Sequence, residues 1–321
     1  MDRTARPSST SAAGRRGGAA QGLATMLASG TSNQVGAALG SHAFPVIGPL
    51  GVVAVRQVLA AAVLLPTVRP PLRTLTRAQW WPVIALGLVF ATMNLTLYTA
   101  IDRIGLALAV TLEFLGPLAV ALLGSRRPSD LVCAAAAGVG VYVLVAPGPS
   151  TDVVGVALAL AAAVCWALYI VLNRLVGRRL PGLQGTAAAS GVSALFYLPV
   201  VVAMLATGRL AHPAVGWALA AGVLSSIVPF ALDLTALRTV PARLFGLLMS
   251  VHPVLAAAVG LVLLGQSLAP HEIVGIAIVV VTNVVGMAPS RTATAARSIR
   301  RPTRSRQRFV RRPIHPVPGR E

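Results

Sequence analysis

Apolar runs recur along this chain at a length set by a lipid bilayer rather than by a globular core. Ten can be marked, at about 22–44, 46–66, 80–100, 104–124, 129–147, 153–173, 183–206, 214–234, 242–265 and 271–289. Each is long enough to cross about 30 Å of hydrocarbon, and the breaks between them carry Pro, Gly or Arg. No water satisfies backbone groups in the lipid core, so every run is predicted to be a helix. The polar stretches 1–21 and 290–321 are predicted to lie outside the bilayer.

The pattern also repeats. "AIDRIGLALAVTLEFLGPLAVALLG" from Ala100 aligns without gaps on "ALRTVPARLFGLLMSVHPVLAAAVG" from Ala236. Leu108, Leu112, Pro117, Ala121 and Gly124 then meet Leu244, Leu248, Pro253, Ala257 and Gly260. The echo relates the fourth run to the ninth, dividing the chain into halves of five, 22–147 and 153–289. An odd number of spans per half inverts the second copy in the membrane. The expectation is an all-α polytopic membrane protein with ten transmembrane helices in two inverted five-helix repeats. Many secondary transporters share that plan, with a site near midplane at the repeat interface.

Composition supports the membrane reading. The chain is 56% hydrophobic and 11% charged, with mean hydropathy +0.78; soluble domains carry about 25% charged residues. The net charge of +19 changes less than it first suggests, because all 27 basic residues are arginine and most flank the apolar runs. Alternate loops hold ten arginines (69, 73, 77, 126, 127, 174, 178, 179, 238 and 243) against two, Arg103 and Arg209, in the opposite set. That bias predicts both termini in the cytoplasm. Trp80, Trp81 and Trp217 fall at run ends, as an interfacial belt requires. No nucleic-acid motif accompanies the charge, so nucleic acid is not an expected partner. The 290–321 tail, basic and poor in large apolar residues, is expected to be disordered and to lean on anionic lipid. Cys133 and Cys165 lie inside apolar runs without metal-ligand spacing. Walker A, G-x-G-x-x-G, H-E-x-x-H and G-x-S-x-G patterns are all absent. Neither an enzyme nor a cofactor or metal site is expected, and nothing in the sequence sets an oligomeric state.

Candidate chemistry comes from the polar groups left in oil. An ionisable side chain at the bilayer centre costs about 2.5–3.5 kcal/mol on insertion scales, so it needs a partner, a wet cavity or a function. Arg56, Glu113, His252 and Asp233 qualify. Arg56 and Glu113 lie at matching depths in the second and fourth runs. One reading is a buried pair that joins two helices. The other has both charges facing a cavity, Arg56 for a carboxylate and Glu113 for an ammonium; Glu113 is also the candidate for proton exchange. Gly116-Pro117 and Pro253 interrupt corresponding helices, a pattern that points to a binding region, though proline kinks also serve packing. Asn33, Gln34, Asn94 and Asn283 either line a pathway or bond between helices. Trp166 and Tyr169 sit too deep for an interfacial belt and offer an aromatic wall or ordinary packing. Gly36 and Gly40 have the spacing of a close helix contact.

"LYTAIDRIGLALAVTLEFLGPLAVALLGSRR", "ALAAAVCWALYIVLNR" and "RLFGLLMSVHPVLAAAVG" resemble the EamA family of the drug/metabolite transporter superfamily, most closely its threonine/homoserine exporter branch. The resemblance covers about residues 23–289. It implies ten helices in two inverted repeats, cytoplasmic termini, and efflux of small metabolites, often amino acids, across the inner membrane. By motif, Arg56 matches the arginine usual in the second helix and Glu113 the glutamate of E-F-x-G-P-L. Trp166 and Tyr169 match W-A-x-Y. The ninth run departs from the usual M-S-x-E-P, reading "MSVHP", which puts His252 where the family carries glutamate. The expected function is therefore secondary export of small metabolites, with amino acids leading. Export of drug-like cations or nucleobases on the same fold, and a scaffold or sensor acting through the basic tail, are the alternatives.

Overall fold

The computed structural model describes residues 10–123, 128–146, 148, 151–229, 231–232 and 249–287. Every regular element among them is helical. In chain order they are α1 (Thr10–Ser41), α2 (Phe44–Val68), α3 (Arg77–Ile104), α4 (Leu106–Glu113), α5 (Leu115–Leu123) and α6 (Pro128–Val145). Then come α7 (Val153–Gly177), α8 (Gln184–Ala206), α9 (Val215–Gly222), α10 (His252–Leu264) and α11 (Pro270–Met287). A π-helical turn, Val223–Ile227, continues α9.

Five stretches are long and apolar enough to cross a bilayer: Phe44–Val68, Arg77–Ile104, Leu106–Leu123, Val153–Gly177 and Gln184–Ala206. Their outer faces carry large apolar side chains with no cover, such as Leu195, Phe196, Val202 and Leu205. In water such a surface would aggregate; against lipid it is solvated.

Three departures from the sequence expectation have physical causes. First, α1 begins at Thr10, inside the stretch assigned to the polar tail. The bilayer limits only the apolar part of a helix, and "TSAAGRRGGAAQG" contains no proline to stop it from extending into water. Secondly, the fourth run is two helices, split at Phe114. Proline at position 117 has no N–H for the carbonyl four residues back, which belongs to Glu113, and its ring crowds that carbonyl. The break therefore falls immediately after the glutamate. At the matching place in the ninth run Ser250 and Val251 form a turn, after which His252 and Pro253 open α10. Thirdly, the eighth run carries the π-helical turn. Asp233, Arg126, Arg127, Arg238, Arg243 and the 290–321 tail lie outside the described residues.

The long helix α3 packs on α7 and α8, α2 on α8 and α9, and α1 on α9, the π turn and α10. Helices α6 and α11 pair with each other. Close approach depends on glycine at the tightest crossings. A Cβ on Gly36 would strike the Ser225 hydroxyl, and one on Gly116 the Ala163 carbonyl oxygen of α7. Lipid supplies no hydrophobic force between helices, so such contact and buried polar bonds hold the bundle. Gln57 donates to Ser193 Oγ (2.9 Å) between α2 and α8, and Tyr197 donates to the Ala91 carbonyl (2.9 Å) between α8 and α3.

Candidate functional site

Between these helices lies a cavity of about 300 Å³. All seven side chains expected at a binding site line it: Asn33, Arg56, Asn94, Glu113, Trp166, Tyr169 and His252. The third run, which carries Asn94, contributes further through Leu86, Phe90, Met93, Leu97, Tyr98 and Ile101, and α8 and the π turn add hydroxyls. The lining extends to Leu64, Leu86 and Thr186, near the helix ends flanked by Arg69, Arg77 and Arg179.

Arg56 is held on three sides. Its Nη1 donates to Asn94 Oδ1 (3.4 Å) and its Nη2 to Ser226 Oγ (3.5 Å), both long bonds. The guanidinium lies 4.4 Å from the centroid of the Tyr98 ring, a cation–π contact. Asn94 in turn donates to the Phe90 carbonyl (2.8 Å), which turns its oxygen toward the arginine. Arg56 Nε has no hydrogen-bond partner among the described residues.

Glu113 is the last residue of α4, buried to 5% exposure. Among the described residues its carboxylate accepts no hydrogen bond, and the one ion pair within 4.0 Å is Arg103–Asp152, far along the helix ends. Arg56 and Glu113 therefore face one cavity without touching. Of the two readings left open by the sequence, the direct helix-joining pair is not what the structure shows.

The break at Phe114 organises the aromatic wall. The Phe114 ring meets Trp166 edge-on (4.6 Å between centroids) and His252 at a tilt (5.4 Å). Tyr169 packs near Phe90 (6.1 Å). Gly116 is set against α7, and Pro253 is buried in the first turn of α10. Asn33 and Gln34 line the cavity, and the Asn33 carbonyl accepts from Ser225 Oγ (2.9 Å). Asn283 does not reach the cavity; it is buried in α11 and donates to Val279 of its own helix. Sequence reasoning missed Tyr98, Ser225 and Ser226. The paired serines in an apolar run were a visible signal, whereas nothing along the chain marks Tyr98 as the partner of Arg56.

Toward the other helix ends, polar contacts link the helices. Gln266, between α10 and α11, accepts the first N–H of α4 from Leu106 (3.1 Å). Arg103 at the end of α3 pairs with Asp152 (3.0 Å), which caps α7 by accepting from Gly155 N–H (2.8 Å). The bond from Gly155, and then Arg103, hold the Asp152 carboxyl below the usual aspartate range.

Long apolar helices around a cavity that holds both an arginine and a glutamate, with a broken helix at its wall, are the build of a multi-pass membrane transporter. Residues 153–285 match the EamA-like transporter family. The threonine/homoserine exporter RhtA of Escherichia coli K12 is 34% identical over 265 residues, 82% of this chain and 90% of that protein. RhtA of Salmonella typhimurium LT2 gives the same identity and coverage. A solved crystal structure shares the fold, with a TM-score of 0.51 at 20% identity over 86% of this chain and 99% of its own. The chain belongs to the EamA-like transporter family.

Proposed function

We propose that the protein exports small zwitterionic amino acids, threonine and homoserine among them, by alternating access of two inverted five-helix halves. The observation that carries this reading is the pair of opposite charges, Arg56 and Glu113, facing one cavity with neither spent on the other. Arg56 receives the substrate carboxylate, for which a guanidinium fork is suited. Glu113 receives the ammonium. The 34% identity to exporters of threonine and homoserine supports the substrate class.

The arginine-rich helix ends face the cytoplasm in this scheme, and the cavity lining extends toward them, so substrate loads from inside. The breaks before Leu115 and His252 supply the compliance for closing, and Glu113 exchanges a proton if the gradient drives export. A cationic drug would meet the Arg56 charge in this cavity, which disfavours that cargo.

Counterflow in proteoliposomes against labelled amino acids and a cationic dye tests the proposal. Exchange of amino acids by the wild type, lost in both Glu113→Gln and Arg56→Gln, is the expected result. Dye exchange without amino-acid exchange sinks it. An exporter also keeps its flux without residues 290–321, whereas a scaffold working through that tail does not.

A further inference from the structure

Glu113 is not the only buried polar group left without a protein partner. His252 is 8% exposed, lines the same cavity, and has no hydrogen-bond partner among the described residues. Glu113 and His252 both line one cavity, and neither is spent on a protein partner among the described residues, so both are open to a ligand. The ring is also fixed in place. Phe114 packs on one side, and a Cβ added at Gly30 of α1 would come within 3.0 Å of its Nε2. It has no room to swing toward α1.

A neutral imidazole offers one N–H and one lone pair. A hydroxyl can answer either one, donating to the bare nitrogen or accepting from the N–H. An alkyl group answers neither. A second charge is not required, because the ammonium and carboxylate already match Glu113 and Arg56. The connection is short: Phe114 follows Glu113 in the chain and its ring touches His252. A substrate held by its ammonium at Glu113 sends its side chain along Phe114 to the imidazole.

We infer that His252 reads a hydroxyl on the substrate side chain and makes the transporter selective for hydroxy amino acids over aliphatic ones of the same shape. The inference rests on the zwitterion reading above. Threonine and valine differ by this hydroxyl alone, so the ratio of their counterflow rates is the readout, measured with the full chain in proteoliposomes. A site built to bond a hydroxyl discriminates against the analogue lacking it more strongly than shape alone can. The wild type should favour threonine by about tenfold or more. His252→Leu should lower threonine more than valine and bring the ratio toward one. His252→Gln, which keeps a donor and an acceptor, should retain part of the preference. Gly30→Ala, which displaces the ring while leaving its chemistry intact, should narrow the same ratio, and it serves if His252→Leu does not fold. A ratio indifferent to both His252→Leu and Gly30→Ala overturns the inference while leaving amino-acid export standing. A wild type that exchanges neither amino acid overturns the zwitterion reading, and this inference with it.

Discussion

Replacing Glu113 by Gln distinguishes a carboxylate that holds helices from one that holds cargo. Had Glu113 closed a buried ion pair with Arg56, its loss would strand an uncompensated cation at a cost of about 3–5 kcal/mol. No such contact exists among the described residues, where Arg103–Asp152 is the one pair within 4.0 Å. Arg56 is held instead by Asn94, Ser226 and the Tyr98 ring, all untouched by the substitution. A buried carboxylate without hydrogen bonds is itself unfavourable, and an amide of the same shape is easier to bury. Stability should therefore stay level or rise. Substrate binding loses a charge-assisted contact worth about 1.5–3 kcal/mol, or roughly ten- to a hundredfold in Kd. Thermal unfolding of purified protein, run beside titration with labelled amino acid, reads both quantities. A variant that melts several degrees lower while binding as tightly as the wild type would refute the reasoning, because it would return Glu113 to a structural role.

Other consequences follow from single contacts. Gly116→Ala places a Cβ against the Ala163 carbonyl oxygen and beside Trp166 Cβ, so the α5–α7 crossing must open; a loss of about 1–3 kcal/mol is expected in detergent unfolding. Gln266→Leu leaves the Leu106 N–H without its acceptor and should cost about 1–3 kcal/mol, while Gln266→Glu, which keeps an acceptor oxygen, should cost less. Asp152 titrates below the usual aspartate range because of Gly155 N–H and Arg103, so the native state binds fewer protons there than the unfolded chain. Its contribution is present above the ordinary aspartate pKa of about 4 and fades as pH falls through the lower native value. Asp152→Asn should flatten the acid limb of a stability–pH curve, and an unchanged limb would show that the cap contributes nothing.

The apolar segments were legible because the bilayer imposes both their length and their helical form, leaving the sequence few ways to hide them. Arg56, Glu113 and His252 were legible for the converse reason: an ionisable group in oil is costly enough to stand out with no knowledge of its neighbours. What the sequence withheld depends on geometry across helices or on small backbone changes. The α9 run contains nothing that announces the extra residue of a π turn, yet that turn brings Ser226 to Arg56 and Ser225 to Asn33. Tyr98 reads as one more aromatic in an apolar helix until α2 and α3 are packed together. The start of α1 at Thr10 was hidden because helix and span were treated as the same length, which holds only inside the lipid.

The proline at 117 connects these levels. By leaving the Glu113 carbonyl without its helical donor, it ends α4 at a residue whose side chain also has no protein partner among the described residues. Backbone and carboxylate are thus loosened at the same point, while Arg56 in the same cavity is held by α3 and the π turn. One charge sits on a braced frame and the other at a joint. A zwitterion has a fixed distance between its charges, so it can satisfy both only when the joint holds Glu113 at the matching distance from Arg56. On the proposed zwitterion reading, substrate binding favours one setting of the joint over the others, and differential affinity of that kind is what any ligand needs to shift a conformational equilibrium. The proposed reading also gives the kink a use: a straight helix would bury Glu113 equally well and give the cargo nothing to move.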